Sequence, residues 1–259
     1  MGKKYELIKN EYGFNRVKAL KDFTLITGEQ INKGDLGGFI ESEDCLSQEG
    51  LCWIMDEAYV EGEVSGNAVI KDDAKIYGTV SGNAIVEYDA IVEGTVSGNA
   101  IVRDNGFVGE NATVTGNAVV QADQYITFGT VTTDILSTKD WASALYAELG
   151  IIPKNGKVIL YKDVQSTDNP KNFKSLYKPS FLYKVGKTVE ETDVDEDVMK
   201  VCGKGLHFTL QEIIENEQTG DTMLECEIDI EDILTVQYCI VRARKCKVIR
   251  KFIRRRKYE

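Results

Sequence analysis

The octapeptide TVSGNAIV stands at residues 79–86 and again, unchanged, at 95–102. Around it the glycines of SGNA or TGNA fall at Gly66, Gly82, Gly98 and Gly116, spaced 16, 16 and 18 residues apart. Self-similarity on this scale restricts a chain to stacked coils, each one burying its apolar side on its neighbours. Within a period the unit is six residues: NAVIKD, DAKIYG, then the shorter TVSG; NAIVEY, DAIVEG, then TVSG; NAIVRD, NGFVGE, then a full NATVTG. The order N-A-x-V makes a short strand whose Ala and Val, two apart, point inward together. Ala68, Ala84, Ala100 and Ala118 therefore form one inward column, and Ile70, Val86, Val102 and Val120 another. Gly and Asn at the corners accept left-handed backbone, and Asn67, Asn83, Asn99 and Asn117 are placed to form an amide ladder.

These words resemble the hexapeptide-repeat left-handed parallel β-helix, and that resemblance supplies the expected handedness. The expected fold is mainly β: a left-handed parallel β-helix with 16- to 18-residue coils over 51–131, an N-terminal β cap over 1–50, a connecting helix within 132–150, and an α+β C-terminal domain over 151–259. KGDLGGFIESE and LSQEGLCWI resemble the N-terminal module of phage and prophage hexapeptide-repeat proteins. PSFLYKVGKTV followed by CGKGLHFT is similar to the uncharacterised C-terminal domain of phage pentapeptide-repeat proteins. Both resemblances imply a phage origin and neither brings a known chemistry.

One outward column and the distribution of charge stand out. Trp53, Val69, Ile85, Ile101 and Val119 make an apolar stripe where a solvated coil would carry polar groups, and imply contact with a second subunit or with the chain's own later helix. Charge is also segregated, with twelve acidic and three basic side chains over 51–131. Glu61, Glu63, Asp72, Asp73, Glu87, Asp89, Glu93 and Asp104 are read as an acidic platform that could imitate nucleic acid toward a host protein. Conversely, Arg242, Arg244, Lys245, Lys247, Arg250, Lys251, Arg254, Arg255, Arg256 and Lys257 form a basic tail able to meet nucleic acid or an anionic nucleotide.

In the C-terminal half, STKDWASALYAELG reads as one helix capped by Ser137 and stopped at Gly150. KVILYKDV, FLYKVGKTV, GLHFTL, TMLECEIDI and TVQYCIVRARKCKVI read as strands, with QEIIENE a short helix among them.

The chemistry implied is sparse. Acyltransferases that resemble this repeat use a coil histidine as general base, whereas the single histidine, His207, lies outside the coils. Six scattered cysteines without a CxxC pair indicate neither zinc nor disulfides. DVDED departs from an EF-hand loop, and KVGKTV lacks phosphate-loop spacing, so no metal or cofactor is expected. The polar start MGKKYELIKNEYG and the lack of a long apolar run point to the cytoplasm of an infected bacterial host. The expectation is a non-enzymatic, oligomeric phage accessory protein that binds or blocks a host component, with host defence among the candidates. Two alternatives remain open: an ADP-ribosyltransferase-like enzyme using His207, Glu225 and Glu227, with Lys162 where a nicotinamide-binding residue belongs, and an oligomeric sponge for an anionic nucleotide signal.

Overall fold

The computed structural model describes residues 2–217 and 219–253. The chain separates into two compact units between Thr138 and Lys139.

The first unit is a parallel β-solenoid of about six turns. Its three faces are parallel sheets of two- and three-residue strands, in register every 16 or 18 residues. Val69 pairs with Ile85, Ile85 with Ile101 and Ile101 with Val119 on one face. Lys75, Ile91, Phe107 and Tyr125 align on the next, and Thr79, Thr95 and Thr113 on the third. Every member of the two expected inward columns is fully buried. The amide ladder is continuous: Asn67 donates to Asn83 at 3.0 Å, Asn83 to Asn99 at 3.0 Å and Asn99 to Asn117 at 3.2 Å. Gly82 turns its corner at φ 69°, and a Cβ there would lie 2.9 Å from the backbone of Gly98.

An antiparallel strap covers the first coil. Tyr5–Lys9 pairs with Asn15–Ala19, which pairs with Leu36–Ile40, and Leu36–Ile40 then runs parallel to Tyr59–Val60. Lys4, fully buried beneath it, donates from Nζ to the carbonyl of Cys52 at 2.9 Å. The last coil is followed by the four-residue helix α1, Ile135–Thr138.

The second unit is sheet-rich. Its six-stranded antiparallel sheet has the order Leu182–Lys184, Asn172–Ser175, Lys157–Ser166, Thr222–Asp229, Lys245–Ile253, Thr188–Glu190. A three-stranded sheet places Ile240–Ala243 between Leu206–Phe208 and Ile233–Gln237. Helix α2, Trp141–Leu149, packs on Ile233–Gln237, and α3 is Gln211–Glu217.

Three local expectations are corrected. The single helix capped by Ser137 is two: the backbone turns left-handed at Lys139 (φ 53°), and Asp140 caps α2 by accepting from the Ser143 amide at 3.2 Å. FLYKVGKTV turns at Gly186 (φ 78°) and sends its halves to opposite edges of the large sheet. TVQYCIVRARKCKVI is three strands; a tight turn with positive φ at both Tyr238 and Cys239 folds the first back on the second.

Candidate functional site: a cleft around a buried lysine

Val158, Leu160 and Val164 alternate along Lys157–Ser166 and point into the core, and Lys162 occupies the same inward series. It is only 6% exposed. Its ammonium donates to the backbone carbonyl of His207 at 2.9 Å and lies 5.3 Å from the ring centre of Tyr183 and 5.6 Å from that of Phe208. Burial lowers its pKa to about 8, opposed by Cys226, Cys246 and the carboxylate of Asp163.

Lys162 lines a cleft of about 570 Å³ within the second unit, together with Phe181, Tyr183, Cys202, Leu206, His207 and Ile240. That volume is in the range of small-molecule sites. The imidazole of His207 is brought down to about pKa 4, chiefly by burial and then by the charges of Lys162 and Arg242, with the backbone of Val201 and Gly203 opposing. His207 is therefore neutral at pH 7. Its Nε2 is buried and has no hydrogen-bond partner.

One wall of the cleft is the loop carrying Cys202, Gly203 and Lys204. Fully buried Arg242 pins it, donating to the backbone carbonyls of Asp195, Lys204 (3.0 Å) and Asp197 (2.8 Å). The loop can press this close because Gly205 takes φ 148° and has no Cβ, which would otherwise lie 3.0 Å from Arg242 Cγ. At the rim, Lys178 pairs with Glu191 at 2.6 Å and Lys204 with Asp193 at 2.9 Å.

The sequence-derived candidates are distributed differently. Glu225 and Glu227 lie on the strand face opposite Lys162. Glu225 is held by two hydrogen bonds from Arg250, at 3.1 and 2.8 Å, and Glu227 by Lys157 at 2.9 Å. Neither lines the cleft, so His207 is not assembled with them. The basic strand does not present a row of free cations: Arg242 is interior, Arg244 pairs with Glu196, Lys245 with Asp232 and Arg250 with Glu225. Lys251 donates to the carbonyl of Pro170, and Lys247 is exposed. Arg254, Arg255, Arg256 and Lys257 lie outside the described residues.

On the solenoid, Asp72 and Asp104 are largely structural, accepting from the amides of Tyr88 and Ala122 on the following coil, each at 3.0 Å. Glu87 pairs with Lys71 at 3.0 Å. Glu61, Glu63, Asp73, Asp89 and Glu93 are exposed. Of the apolar stripe, Trp53 and Val69 are buried; Trp53 packs edge-on against Phe23, which lies between the second and third strands of the N-terminal strap, and against Tyr5 of the strap itself, at 5.3 and 6.5 Å between ring centres. Ile85, Ile101 and Val119 are half-buried.

Among the described residues no group of His, Cys, Asp and Glu is arranged to hold a metal ion, and no helix is long and apolar enough to cross a membrane. Residues 152–213 match the model of a family of unknown function, DUF5758. The matched segment includes both Lys162 and His207, as well as the loop that carries Cys202. Among curated proteins none matches the chain.

Proposed function

We propose that this is a non-enzymatic binding protein of phage origin, in which the C-terminal unit recognises a ligand in the Lys162–His207 cleft and the solenoid turns an acidic face toward a basic host partner. The cleft carries the reading: a lysine occupies a core position at the wall of a cavity large enough for a small molecule, and a histidine that is neutral at pH 7 lines the same cavity. Binding is favoured over group transfer because the carboxylates that an ADP-ribosyltransferase would need are tied to Arg250 and Lys157 on the other strand face. The phage assignment rests on the words KGDLGGFIESE and LSQEGLCWI. Ile85, Ile101 and Val119 supply the contact with a second copy.

Cys202 makes the cleft reading testable, because it is the exposed member among the six free cysteines and lies on the cleft wall. A small-molecule fraction from phage-infected bacteria should slow maleimide alkylation of Cys202 in the full chain, read by mass spectrometry, and leave Cys239 unaffected. Equal alkylation with and without the fraction removes the cleft as a ligand site.

A further inference from the structure

A buried ammonium without a counter-charge is costly, of the order of several kcal/mol after relaxation. Lys162 is close to that condition, with only the charge of Asp163 acting on it from beyond ion-pair distance. It has one hydrogen-bond acceptor, and among the described residues no carboxylate lies within ion-pair distance of it. An ammonium carries three donors, so two remain to be matched. The aromatic faces of Tyr183 and Phe208 offset part of the cost but accept no conventional hydrogen bond.

The charges at the rim cancel in pairs, Lys178 with Glu191 and Lys204 with Asp193. The net charge of the cleft is therefore that of Lys162 alone. A single negative charge completes it, while a dianion would carry an uncompensated charge into a largely apolar wall.

We propose that the cleft binds a small organic monoanion with an apolar or aromatic body, the acidic group docking on Lys162 Nζ and the body lying against Phe181, Tyr183, Leu206 and Ile240. This rests on the reading of the cleft as a ligand site. Carboxylate and phosphodiester head groups share the required chemistry. Neutral His207 adds no charge to the site, so Lys162 is its cationic donor. At pH 7 Lys162 remains protonated, since its pKa is about 8, and loses its charge above that value.

The test uses the full chain and five probes: 2-naphthoate and cyclic AMP as monoanions, 2-naphthamide and adenosine as their neutral counterparts, and AMP as a dianion. Dissociation constants come from protection of Cys202 against alkylation. At pH 7 at least one monoanion should bind tenfold or more tightly than its neutral counterpart, and cyclic AMP should bind more tightly than AMP if the phosphodiester is the head group recognised. Lys162→Met should abolish the preference for charge, and raising the pH of the wild-type protein to 9.5 should do the same without any substitution. Neutral probes that bind as well as anions, or a preference that survives both Lys162→Met and high pH, overturn the monoanion while leaving the cleft. If no probe protects Cys202, the cleft reading falls and the monoanion with it.

Discussion

Arg242 shows what a single residue can hold in place. Its guanidinium donates to three carbonyls of one loop, hydrogen bonds worth about 1 kcal/mol each; two of those carbonyls, Lys204 and Asp197, also accept from the amides of Asp195 and Lys200. Arg242→Met should therefore cost about 3 kcal/mol in urea unfolding and also speed alkylation of Cys202 in the native protein, since the loop carrying Cys202 is released. An unchanged alkylation rate would show that the loop is held by other contacts. His207 makes a prediction in pH. Its folded pKa of about 4 lies below the usual 6.5, so between those values the unfolded chain takes up a proton that the folded one refuses. Stability from this group is full above pH 6.5, falls as the pH drops toward 4, and changes no further below. Melting temperatures at pH 7.5 and 4.5 should differ less in His207→Gln than in the wild-type protein. Lys162 was partly legible beforehand, because VILYKDV alternates and places a lysine in register with Val158, Leu160 and Val164. Arg242 was not: among ten Lys and Arg it read as surface charge, and the carbonyls that surround it come from a loop some forty residues earlier.

At the level of the element, regularity made the solenoid readable. Each coil repeats the same small and branched inward pair, so the column assignments follow from spacing, and the Asn ladder follows from the corner residue. Its corners differ in how much change they tolerate. Gly82→Ala places a Cβ against the Gly98 backbone at a left-handed φ and should cost about 2 kcal/mol or more, whereas Asn83→Ala removes exposed ladder bonds and should cost about 1 kcal/mol. Chemical denaturation of the two variants checks the order; a larger loss in Asn83→Ala would place the stability of the corner in its side chains. The C-terminal strands were harder to delimit. TVQYCIVRARKCKVI has continuous strand-forming composition, and its turn uses Tyr238 and Cys239, residues that do not announce a left-handed backbone as Asn-Gly does. The Ser137 cap failed for a related reason, because STKD offers two capping residues and Asp140 won.

Across the whole molecule, segregation of charge sets how partners are met. With Asp72, Asp104 and Glu87 engaged in the coils, the carboxylates free to face a basic partner are Glu61, Glu63, Asp73, Asp89 and Glu93. Asp73→Lys with Asp89→Lys and Glu93→Lys should weaken capture of a basic host protein tenfold or more, mainly through slower association, and the wild-type affinity should fall steeply between about 50 and 200 mM salt. Salt-insensitive capture would move the partner site elsewhere. The same three substitutions should leave the self-association mass in light scattering unchanged, while Ile85→Glu with Ile101→Glu should lower it. The two ends of the solenoid are also unlike: a three-strand strap with a buried Lys4 closes the first coil, and the four-residue α1 follows the last. A stack in which each layer touches only its neighbours melts as a zipper does, from the end with the weaker clasp. Amide hydrogen exchange should therefore run as a front, fastest near Val131 and slowest near Ile54, which makes the row of coils a ruler on which any partner's footprint can be read as the place where that front stops.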